Sequence, residues 1–218
     1  MTTTDDLHAQ ARGVLDDAVA LRRELHLHPE LGTDLPRTQA KVLAALDGLG
    51  LEVRTGTALT SVVADLVGGA GDGPTILLRG DMDALPMPED TGLDFASVVD
   101  GAMHACGHDA HTAMLVGAAT VLAGRRDRLA GRVRFMFQPG EEGFGGATDM
   151  IDEGVLDGVD AAFALHVAPN MFSDFVIHRS GAALASADVV KVVVTGRGGH
   201  ASSPHWATDP VPVACEIV

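Results

Sequence analysis

The 218-residue chain is short of cysteine, of basic residues and of long apolar runs, and each shortage argues against a class of protein. Two cysteines, Cys106 and Cys215, make no disulfide framework, and the plain reading is a cytoplasmic protein with reduced thiols. Lys and Arg number 15 against 30 Asp and Glu, a net charge of −15. That balance argues against a nucleic-acid partner, which needs a basic surface, and against anionic membranes. No apolar run approaches the length of a membrane span. The opening MTTTDDLHAQ lacks the basic-then-apolar pattern of a signal peptide. No internal repeat or low-complexity tract is present. What remains is an ordinary globular composition, 46% hydrophobic and 21% charged. The length suits one large domain, or one domain plus part of another.

Apolar spacing predicts a helix over 6–28, broken by Pro29 and Gly32, and a second from Arg37 to Asp47, closed by Gly48 and Gly50. Leu51–Val53 and Ser61–Val67 read as strands. Thr75–Leu78, Val133–Phe137 and Asp160–Leu165 read as three buried strands, with a helix over 109–123 between the first two. Alternating strands and helices indicate an α/β layered fold. Each buried strand stops at a polar cluster: Arg79–Asp83, Gln138-Pro139-Gly140-Glu141-Glu142, and His166. Sites in open α/β sheets lie at the carboxyl ends of strands, so one site built from three strand ends is expected. Further on, Asp188–Thr195 alternates as a strand, Gly196–Gly199 is a loop, and Asp209-Pro210 is a helix start. The chain then ends within the apolar run Val211–Val218, with no cap or breaker, and reads as cut short.

Met103 to His111 holds three His, one Cys and one Asp in nine residues. A thiolate and an imidazole suit zinc and other borderline divalent metals. Cys106 and His108 face the same way on an extended stretch, whereas His104 and His108 share a face on a helix. Spacing alone leaves both pairs open. A lone His is ordinarily a hydrogen-bonded core or surface residue, but here acids recur at the other strand ends. Glu141 and Glu142 repel each other. A solvated loop is one reason for the pair; the other is that one Glu binds metal while its neighbour acts as a base toward metal-activated water. His166 is a further candidate ligand. The Gly-rich pieces Gly143–Gly146 and Gly196–Gly199 lack the following Lys-Ser/Thr of a phosphate loop.

Arg79-Gly80-Asp81-Met82-Asp83-Ala84-Leu85-Pro86, the Met103–Thr112 segment, Phe137-Gln138-Pro139-Gly140-Glu141-Glu142-Gly143 and Gly199-His200-Ala201 resemble the peptidase M20 family. The resemblance is closest to its amidohydrolase branch of hippurate, N-acyl-amino-acid and auxin-conjugate hydrolases. Arg22–His26 with Pro29–Gly32, and Gly145-Gly146-Ala147 with Met150-Ile151, add weaker matches. The resemblance implies a zinc-exopeptidase-like catalytic domain with a mixed central sheet over 1–185, and the start of a smaller α+β lid or dimerisation domain over 186–218. It makes Cys106 the thiolate ligand bridging two divalent metals (Zn, Mn, Co or Ni), with His108, Glu142 and His166 as further ligands. Glu141 becomes the general base, and Asp83 an acid that orients a ligand. Asp81 stands where other branches keep a His ligand, and its role is left open. His104 and His111 fall to structural or supporting roles. His200 matches a lid histidine that reaches the partner subunit's site in a homodimer and stabilises the oxyanion.

The implied activity is hydrolysis of N-acyl amino acids. A dipeptidase of the same family and an inactive metal-binding fragment are the alternatives. The family supplies one more His ligand from a C-terminal segment, beyond the end of this sequence. After His166 it usually has Pro-x-Gly, whereas Pro169 here is followed by Asn170 and Met171.

Overall fold

In the computed structural model, which describes residues 4–173, 175–182 and 189–217, three helices precede the first strand. They are α1 (Thr4–Gly13), α2 (Leu15–Leu27) and α3 (Pro36–Leu46). The single helix expected over 6–28 is split at Val14, whose φ of −105° and ψ of 3° leave the helical well. Gly13, a poor helix former, followed by β-branched Val14 weakens the ladder there. Pro36 opens α3, where its missing N–H costs nothing.

The strands β1 (Glu52–Thr55), β2 (Val62–Val67), β3 (Thr75–Asp81), β4 (Arg132–Gln138) and β5 (Ala161–Ala164) form one sheet in the order β1-β2-β4-β3-β5. The pairs β1–β2 and β2–β4 are antiparallel, whereas β3–β4 and β3–β5 are parallel, so the sheet is mixed. Helix α4 (His108–Ala123) joins β3 to β4, and α5 (Gly146–Asp152) joins β4 to β5. Both faces are covered. Val62, Ala64, Leu66, Phe135 and Phe137 pack with Val42, Leu46, Leu115 and Ala119 of α3 and α4. Val63, Leu77 and Met136, pointing the other way by strand alternation, pack with Met150 and Val155. Truncating Phe135 or Phe137 to Ala in such a core costs about 3–5 kcal/mol.

Two expectations about strands change. β5 is not buried: Ala161–Ala164 are all exposed, with Phe163 at 64%. Its apolar run reports a surface suited to cover, but β5 is the sheet edge and its outer side has no strand neighbour among the described residues. Residues 189–195 form no strand, since a strand needs a ladder partner and none is present among the described residues. Asp188 lies outside them. The Asp209-Pro210 helix start is as expected: Pro210 opens α6 (Pro210–Ile217), and the Asp209 carboxylate accepts the Val211 N–H at 2.9 Å.

The chain divides into two compact units, Met1–Asn170 and Met171–Val218. In the first, α2 is tied to the start of α4: Arg22 Nε donates to Asp109 Oδ2 at 3.0 Å, and His26 Nδ1 lies 2.8 Å from the same oxygen. In the second, Arg197 and Thr208 exchange main-chain hydrogen bonds and close a loop over 198–207. Gly196, just before this pair, has no room for a side chain, because a Cβ there would strike the Thr208 carbonyl. No helix among the described residues is long and apolar enough to cross a membrane.

Candidate metal centre

Parallel pairing aligns the carboxyl ends of β3, β4 and β5, since Asp81 is level with Gln138 and Arg79 with Ala164. The polar clusters that follow therefore meet along one edge. Gly107, at φ +88°, caps α4 in the left-handed conformation and turns the 104–107 loop so that Cys106 and His108 converge. A Cβ at Gly107 would also collide with Val167, so the turn and the β5 end are packed directly together.

His108 sits at the middle of the cluster, fully buried. Its Nδ1–H donates to the Asp83 carbonyl oxygen at 2.8 Å, which leaves the Nε2 lone pair free. Nε2 lies 3.5 Å from Asp81 Oδ2, 3.8 Å from Glu142 Oε1 and 3.9 Å from Glu141 Oε2. Three sets each bring their ligand atoms within 4.8 Å of one another: Cys106 with His108 and His166, Asp81 with His108 and His111, and His108 with Glu141 and Glu142. His108 belongs to all three. Cys106 Sγ lies 3.3 Å from His166 Nε2, and His166 Nδ1–H donates to the Val167 carbonyl at 2.7 Å.

The Asp83 carboxylate clasps the double-glutamate loop, accepting the Glu141 N–H at 2.9 Å and the Glu142 N–H at 3.0 Å. Burial pushes its pKa up, but His108 and those amides outweigh it and hold the carboxyl below the usual range. The Asp83 carbonyl is thus the group that His108 Nδ1–H meets, while the Asp83 carboxylate shapes the loop.

Without a cation the cluster is at odds with itself. Burial and the neighbouring Glu142, Glu141 and Asp81 push the Cys106 thiol up to about 12. His108 Nε2 and Glu142 Oε1 are buried with no hydrogen-bond partner. Thiol, imidazole and carboxylate are the ligands of zinc and its neighbours, and a bound cation deprotonates a coordinating thiol outright. The donor set and the unpartnered atoms both fit divalent metal ions.

The remaining candidates lie elsewhere or play other parts. His104 precedes α4, so the helical His104–His108 pairing does not form. Its ring is buried near His26, and burial lowers its pKa to about 4. His200 is in the second unit, where its Nδ1 accepts the Ser202 N–H at 3.2 Å, so its proton is on Nε2. Arg79 was not singled out in the sequence. Its Nε donates to Gln138 Oε1 at 2.9 Å, and its guanidinium is 2.6 Å from Asp81 Oδ2. Its signals were its place at a strand end beside Asp81 and at the head of the Arg79–Pro86 motif.

Comparison with known proteins bears on the same segments. The profile of Peptidase family M20/M25/M40 matches residues 77–213. The chain is 41% identical over 219 aligned residues, its whole length, to Thermostable carboxypeptidase 1 of Saccharolobus solfataricus, covering 56% of that protein. It is 43% identical over 200 residues, 92% of the chain, to N-acetyl-L-cysteine deacetylase of Bacillus subtilis, covering 48% of it. A solved structure of a dinuclear metal-binding peptidase of the M20 family from Bacillus subtilis superposes with a TM-score of 0.70 at 45% identity. That match covers 73% of this chain and 44% of the other. The chain spans about half the length of the curated relatives it matches.

Proposed function

The chain belongs to peptidase family M20/M25/M40, and from that premise we propose that the protein carrying it hydrolyses the amide bond of N-acyl amino acids with two divalent metal ions. The observation that carries the reading is the convergence of Cys106, His108, Glu141, Glu142 and His166 at aligned strand ends. The relative named as an N-acetylcysteine deacetylase supports the substrate class. Cys106, His108, Glu142 and His166 would hold the ions, whose identity we take to be Zn, Mn, Co or Ni from the mixed ligand set. When bound, such ions supply Lewis acidity, lowering the pKa of water to about 7 and polarising the scissile carbonyl.

The residues then divide the work. Glu141 takes a proton from the attacking water on its carboxylate and returns it to the leaving amine nitrogen. Asp83 holds the Glu141 and Glu142 amides, and so fixes both side chains relative to His108. His200, with its proton on Nε2, is suited to donate to the developing oxyanion. We assign it this task in a partner subunit, with the second unit as the start of a lid and dimerisation domain. Two free thiols are in keeping with a cytoplasmic location.

A carboxypeptidase reading has one specific support, the relative of that name at 41% identity. It uses the same amide chemistry beside a free carboxylate. Metal analysis and a hydrolysis screen on the full-length protein, offering N-acetyl amino acids and peptides in parallel, test both. Cys106→Ser and His108→Ala should each lose metal and turnover. Full metal occupancy in both variants would sink the centre; cleavage of peptides alone would move the assignment to the carboxypeptidase.

A further inference from the structure

We propose that Asp81 and His111 form a buried brace that positions His166 by holding the Val167 peptide behind it. The inference rests on the reading of His166 as a metal ligand. His166 has little other support. It follows an edge strand whose last ladder pair is Ala164 with Arg79, and its own side chain is exposed. The Val167 N–H beyond that pair finds a side chain instead of a strand, donating to His111 Nε2 at 2.9 Å.

That bond decides the state of His111. A backbone amide can only donate, so Nε2 presents its lone pair and the ring proton is on Nδ1. Nδ1–H then donates to Asp81 Oδ1 at 2.6 Å. Both nitrogens are spent, so His111 is no ligand although its ring atoms lie near His108 and Asp81. Asp81 is itself held, by Arg79 at its other oxygen and by the Thr112 hydroxyl, which donates to its carbonyl at 2.8 Å.

The chain of contacts therefore runs without a gap. Arg79 meets Asp81, Asp81 meets His111, His111 meets the Val167 amide, and the Val167 carbonyl accepts His166 Nδ1–H. The last bond leaves His166 Nε2 unprotonated and 3.3 Å from Cys106 Sγ. On the opposite side Val167 is wedged against Gly107. The His111 and His166 rings meet edge to face at 4.7 Å. Asp81, buried and ion-paired, thus acts on the metal centre through His111, as a positioning residue.

The brace predicts a separation between two amide substitutions. Gln places its amide where His has Nε2 and can still accept the Val167 N–H; Asn places it near Nδ1 and reaches only Asp81. In the full-length protein, His111→Asn should weaken metal binding about 10–100-fold in a chelator competition, the usual cost of losing a group that orients a ligand. His111→Gln should recover most of that loss. Cobalt-loaded His111→Asn should also lose thiolate-to-metal absorption intensity, and its metal-free form should unfold at the same denaturant midpoint as His111→Gln. Equal metal affinity in His111→Asn and the wild type overturns the brace, and so does a loss that Gln fails to recover. If His111→Asn does not fold, nitrogen-15 histidine spectra of the metal-free wild type still decide. Protons on Nδ1 of both His111 and His166 support the brace, and a proton on His111 Nε2 overturns it. Wild-type protein that takes up no metal would instead refute the proposed function.

Discussion

Glu141 and Glu142 are neighbours with different surroundings, and the difference suits a division of labour. Both amides are held by Asp83, yet the Glu141 side chain is 41% exposed and that of Glu142 is 22% exposed with a buried, unpartnered Oε1. The more open carboxylate can meet substrate and water; the more enclosed one has an oxygen that wants a cation. Glu141→Gln should keep its metal and lose about 10²–10⁴-fold in kcat. Glu142→Gln should lose metal, measured per chain by atomic emission. The reverse pattern exchanges the two roles. At this scale the sequence pointed to the residues that the fold brings together: a thiol, an imidazole and paired acids at strand ends are unusual enough to mark a candidate site. It could not rank His104 against His111. Both stand in the same nine-residue segment, and only the partners they meet, His26 for one and Asp81 with Val167 for the other, tell them apart.

Among the elements, β2 and β4 are joined by charge as well as by their ladder. Asp65, level with Arg134, accepts from its Nε at 2.8 Å and its Nη2 at 2.9 Å, and from Arg132 at 2.7 Å. Burial pushes the Asp65 pKa up, but Arg134 and Arg132 outweigh it and hold the carboxyl below the ordinary 3.8. A group whose folded pKa is depressed stabilises the fold above its unfolded value and loses that contribution as pH falls through the folded one. Asp65→Asn should therefore cost about 3 kcal/mol at pH 7, by leaving Arg134 buried without its counter-charge. The gap to wild type should close as pH drops below the ordinary aspartate range. Urea unfolding at neutral and acidic pH measures this, and a pH-independent gap would contradict it. Element type was legible wherever an apolar face has a partner nearby in space, as in α3, β2, β4 and α4. It failed at residues 189–195, where the alternation is strong but no ladder forms among the described residues. It also misjudged the burial of β5, because hydrophobicity states a preference for cover without supplying it.

At the scale of the whole molecule, the second unit is the one that carries His200. His200 sits in a loop closed by the Arg197–Thr208 pair, and its hydrogen bond from Ser202 turns Nε2–H into a donor. In the full-length protein His200→Ala should retain metal and lower kcat by about 10²–10³-fold, the cost of one oxyanion donor. Mixing the impaired Glu141→Gln and His200→Ala proteins should raise activity above that of either alone, since one site of a mixed dimer has both groups. No recovery in a mixture shown to exchange subunits removes the cross-subunit task. The sequence by itself determined the layered fold class, the strand ends that carry the candidate site, and the candidate ligands, because residue chemistry and apolar period are local properties. Tertiary structure decided which ring nitrogen of His108 and of His166 carries the proton, that Asp83 grips the glutamate loop, and that His111 serves Val167. Those outcomes depend on donors and acceptors separated by 25 residues for His108 and Asp83, 58 for Asp83 and Glu141, and 56 for His111 and Val167. A hydrogen bond is set by distance and direction in space, and no local pattern encodes those.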